Sequence, residues 1–61
     1  MGPAEAESLL EHARAEMRRA WEVRAVAPVA GELALRAAWR FVVEAERLVV
    51  EAQRETQGRA S

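Results

Sequence analysis

Residues 25–31 read Ala25-Val26-Ala27-Pro28-Val29-Ala30-Gly31, the longest uncharged run in the chain and the only place away from the N-terminus where proline and glycine come together. Pro28 disfavours helical geometry at Ala27, and Gly31 is a weak helix former. On either side of the run, good helix formers dominate, and no strand signal competes: Phe41-Val42-Val43 and Leu48-Val49-Val50 lie inside a helical period. The expected organisation is a single domain with helix 1 at about 3–26, a turn at about 27–31 and helix 2 at about 32–57, its start falling between Pro28 and Glu32. Pro3 suits the first turn of helix 1, and Glu5 and Glu7 follow where the helix dipole favours acids. Gly31 is a candidate N-cap for helix 2. Gly58 is a candidate stop, leaving a frayed tail at 58–61.

Two heptad series run through the chain. Leu10, Met17, Arg24, Gly31, Ala38, Ala45 and Ala52 form one; Ala6, Ala13, Ala20, Ala27, Ala34, Phe41, Leu48 and Glu55 form the other. Because the register is unbroken through Pro28, a long kinked helix is the alternative to a hairpin. An interior proline opposes it by about 3 kcal/mol and Gly31 by about 1 more. Folding at the turn pairs positions in mirror order: Ala20 with Ala38, Met17 with Phe41, Ala13 with Ala45, Leu10 with Leu48, and Ala6 with Ala52. These pairs match small with small and large with large, as interdigitating antiparallel helices require. The expected intrahairpin core is therefore Leu10, Ala13, Met17, Ala20, Ala38, Phe41, Ala45 and Leu48.

A chain of 61 residues is near the lower limit for burying a sufficient core. It has no cysteine for a disulfide and no Cys/His cluster for structural zinc, so self-association is the remaining common means of support. Helix 2 is apolar over more than half its circumference, beyond what one partner helix covers. The surplus assigns Leu9, Trp21, Leu35, Trp39, Val42, Val43, Val49 and Val50 to an oligomer interface, and the fold class to an all-α antiparallel hairpin dimerising into a four-helix bundle. Glu46 falls between Leu35 and Trp39 on the helical wheel, which suggests the rim of that interface and an arginine partner from the other chain. In length, hairpin form and layering, residues 4–56 resemble the Rop type of dimeric RNA-binding hairpin. The likeness is one of fold and carries over no functional residue.

Chemistry is sparse. His12 is the single histidine, and Leu9 stands where the Glu-x-x-His signature of di-iron bundles needs glutamate. Glu7 with Glu11, and Glu51 with Glu55, are spaced one turn apart but read as solvated, ion-paired faces rather than metal ligands. No serine or cysteine nucleophile stands beside a base, so neither catalysis nor a cofactor is expected. Arg14, Arg18 and Arg19 form the one local basic cluster, and a nucleic-acid-binding dimer is the second reading. Intervening glutamates, a net charge of −1 and the lack of interleaved exposed aromatics count against it. No run approaches the ~20 apolar residues of a membrane span, and residues 1–6 lack the basic start of a signal peptide, so a cytoplasmic location is expected. The leading expectation is a structural or protein-interaction module, acting as a homodimer or docking on a partner protein.

Overall fold

The computed structural model describes residues 1–60, with side chains to residue 58. Two helices, α1 (Pro3–Val26) and α2 (Pro28–Ala60), pack antiparallel in a hairpin 50 × 14 × 11 Å. α1 starts as its sequence suggests. Gly2 is extended, Pro3 occupies the first turn, and the Ala6 N–H donates to the Gly2 carbonyl at 3.0 Å. Glu5 lies in the first turn and Arg24 in the last, each at the end where the helix dipole favours its charge.

The turn is much shorter than the sequence pattern suggests. Ala27 alone leaves helical geometry, at φ −134° and ψ 88°. Its N–H closes α1 on the Val23 carbonyl at 2.7 Å, and its own carbonyl accepts the first α2 bond from the Gly31 N–H at 2.8 Å. Pro28 itself opens α2, at the early limit of the expected range. At the first helical position its missing N–H costs no intrahelical bond and its fixed φ already suits a helix. Gly31 is therefore not an N-cap but an interior residue of α2, and Ala27 is the boundary residue of both helices. The long continuous helix is excluded by the same geometry. At the other end α2 runs through Gly58 to Ala60, so Gly58 does not stop it and the expected tail is helical to residue 60; Ser61 lies outside the described residues.

Gly31 has a steric role. A methyl group built on it would lie 2.1 Å from the Arg24 Cα and 2.4 Å from the Arg24 nitrogen. With only one residue between them, the two helices meet backbone against backbone at the closed end. A side chain at 31 has no room.

Beyond that contact the helices are joined by a seam of small residues: Ala6, Ala13 and Ala20 on α1, and Ala38, Ala45 and Ala52 on α2, all buried. Val42 joins Ala13 and Ala45 in the central cluster, against which Leu9, Leu10, Met17 and Phe41 pack from the two sides. No large side chain is fully buried among the described residues. Leu10, Met17, Phe41 and Leu48, expected to fill large layers between the helices, lie half-buried along the flanks of the seam. The reason is distance: methyl-sized contacts bring the helix axes close, and larger groups are displaced sideways onto the two faces of the hairpin.

Candidate interaction face

Each residue advances a helix by about 100°, so side chains one step round from the seam define two opposite faces. On one, α1 presents Leu10, Met17 and Trp21, and α2 presents Leu35, Trp39 and Val49, with Val42 at its buried inner edge and Val43 and Val50 further out. Both indoles are 57% exposed although they stand beside one another's helices. They share a groove of about 450 Å³ floored by Met17 and Leu35 and edged by Arg24, Glu32 and Arg36. The Arg24 guanidinium carbon lies 5.9 Å from the Trp21 ring centroid, a cation–π contact that holds the charge at the rim of the apolar surface. Arg24 thus leaves the seam, as its length allows. Glu46, one heptad beyond Trp39, is exposed on this face and has no hydrogen bond or ion pair among the described residues.

Of the residues assigned from sequence to an outer interface, the structure brings Trp21, Leu35, Trp39 and Val49 onto this one side, and Val43 and Val50 stand exposed further round α2. Val42 is instead buried within the hairpin, and Leu9 packs on the central cluster from the opposite flank. The opposite face carries a second groove, with Ala20, Ala34, Ala37 and Ala38 as floor and His12, Glu16, Arg19, Val23 and Phe41 as walls. His12 is exposed, and its ring meets Phe41 edge-on at 6.4 Å. Among the described residues no three His, Cys, Asp or Glu side chains are grouped as a metal site would need.

The arginine cluster divides between the two faces. Arg14 and Arg18 line a shallow groove with Glu7 and Glu11, whereas Arg19 points to the His12 side and pairs with Glu16 at 2.7 Å. On the outer surface of α2, Arg47 bridges Glu44 and Glu51. Its hydrogen bond holds the Glu44 carboxyl below the ordinary glutamate value and raises the Arg47 guanidinium in turn. Sequence reasoning missed the apolar tip of the hairpin, where Val26, Val29 and Leu33 are exposed. The signal for it is the lack of any charge in 25–31.

The fold and the face together define a helical hairpin whose Trp21–Trp39 side is apolar and uncovered. No described helix is long and apolar enough to cross a membrane. Comparison with protein-family models, curated proteins and solved structures gave no match.

Proposed function

We propose that this chain is a small structural or protein-interaction module that works as a homodimer, two hairpins closing into a four-helix bundle through the face that carries Trp21 and Trp39. Surface area carries the reading. A compact monomer of 6.8 kDa exposes about 3,950 Å², whereas this hairpin exposes 4699 Å². The surplus of roughly 750 Å² is close to the ~800 Å² that each partner contributes to a standard protein interface. A seam made almost wholly of methyl groups buries too little apolar surface to support 61 residues unaided. The half-covered Leu10, Met17 and Leu35 and the two exposed indoles supply the remainder once a second hairpin covers them.

Sedimentation equilibrium across a micromolar range tests the proposal. A mass near twice 6.8 kDa, with thermal stability that rises with protein concentration, supports it. A hairpin that remains monomeric with concentration-independent melting sinks it. Monomer that becomes stable only with a dissimilar protein would assign the face to that partner. Nucleic acid retained through a high-salt wash would move attention to Arg14 and Arg18.

A further inference from the structure

Glu46 is out of place on its face. It occupies the same helical column as Trp39, one heptad on, between the flanking rows that hold Val42 and Val49 on one side and Val43 and Val50 on the other. In the single hairpin the carboxylate is solvated and unpaired. A second hairpin on this face takes it out of water, and a carboxylate buried without a cation is strongly disfavoured. The partner must therefore bring an arginine to it.

The charges on the face indicate which one. Towards the turn Arg24 and Arg36 outnumber Glu32, and Arg18 stands close to the midline. Towards the open end Glu7, Glu11 and Glu46 outnumber Arg14 and Arg54, the latter in the helical column of Arg36. Two copies laid face to face with their turns at the same end set like charge on like. With turns at opposite ends, the basic half of each copy lies on the acidic half of the other. The position of the two-fold axis then follows from α2. Glu46 and Arg36 are ten residues apart, about 15 Å along the helix, and an axis midway crosses α2 at the level of Phe41. Phe41 is also at the middle of the buried seam of α2, which runs from Gly31 to Ala52, so this axis lays one seam over the other and leaves only the last turns of α2 overhanging. It also sets Trp39 opposite the partner's Val43, apolar on apolar.

Building on the dimer proposed above, we infer that Glu46 of each protomer pairs with the partner's Arg36 across a two-fold axis, in a bundle whose turns lie at opposite ends. The pair occurs twice, and it fixes both register and direction, because a slip of one turn leaves two carboxylates unpaired in an apolar interface.

Charge reversal tests the pairing. Glu46→Arg and Arg36→Glu should each weaken dimerisation about tenfold or more in Kd, and the double variant should recover to within about threefold of the parent. A double variant as weak as the singles, while the parent dimerises, overturns the pairing and leaves the dimer standing; a parent that never dimerises removes the dimer itself. Direction is read separately from spin labels on Val29→Cys. Turns at opposite ends place the labels about 35–40 Å apart, and a separation under about 20 Å, with the turns together, overturns the orientation.

Discussion

Replacing Gly31 by alanine separates two effects of opposite sign. Helix propensity alone makes Gly31→Ala stabilising, by about 1 kcal/mol for an interior helical position. The structure predicts the reverse. The new methyl would sit 2.1 Å from the Arg24 Cα, where carbon atoms rest at roughly 3.5–4.0 Å, so the helices must part by about 1.5 Å at the closed end. The atom in the way is backbone and cannot rotate aside. Overpacking of this kind costs about 1–3 kcal/mol, and because a one-residue turn leaves no slack, the upper part of that range applies. Net of the propensity gain, Gly31→Ala should lose about 1–2 kcal/mol, or roughly 5–15 °C in melting temperature for a domain of this size. Circular dichroism melts at one fixed protein concentration measure it. Gly58→Ala is the matched control, since nothing lies within 4 Å of its added methyl and the residue is helical; it should be neutral or slightly stabilising. If Gly31→Ala raises the melting temperature as much as propensity alone implies, the backbone contact at the closed end is wrong.

Other outcomes follow from the seam, the face and the surface ion pairs. Ala13→Leu, at a position with no exposed surface, should cost about 1–3 kcal/mol by forcing the helices apart, checked by chemical denaturation. Trp39→Ala should weaken self-association by about 2 kcal/mol or more if the indole anchors the interface, while leaving helix content nearly unchanged; intact dimer by sedimentation would move the interface elsewhere. Because Arg47 holds the Glu44 carboxyl below its ordinary value of 4.5, their interaction is present above that value and is lost as pH falls through the lowered one. The difference in melting temperature between the parent and Glu44→Gln should accordingly shrink towards zero on acidification. A difference that persists in acid would mean that Glu44 acts by something other than its charge.

Periodicity made the two helices and their seam readable. Ala6, Ala13, Ala20, Ala38, Ala45 and Ala52 stand on heptad positions, and all are buried. The boundaries were harder, because proline plays two roles. Pro3 and Pro28 both open helices, but a proline also ends the helix before it, so the pattern leaves the start of helix 2 anywhere between residues 28 and 32. Gly31 looked like a cap because its real constraint is a contact with Arg24, seven residues earlier, which exists only after the chain has folded back. The size of the layers misled in a similar way. Pairing Met17 with Phe41 assumed a gap between the helices wide enough for both, but the alanines above and below set a narrower one. Arg18 and Arg19 are neighbours in sequence and about 100° apart on the helix, enough to send one to each face. The face bearing Trp21 and Trp39 was readable from the wheel because its residues recur at heptad spacing, whereas Leu9 and Val42 lie too near the seam for the wheel to assign them.

The narrow alanine seam also divides the sequence into parts that are free to vary to different degrees. Substitution at Ala13 or Ala45 is limited to side chains no larger than a methyl group, since both are fully enclosed. The bulky residues bear on the outer faces, where one apolar group can replace another without changing the distance between the helices. Such a hairpin can acquire a new partner by rewriting Trp21, Leu35, Trp39 and Glu46 while its own folding, written in alanine and one glycine, stays as it is.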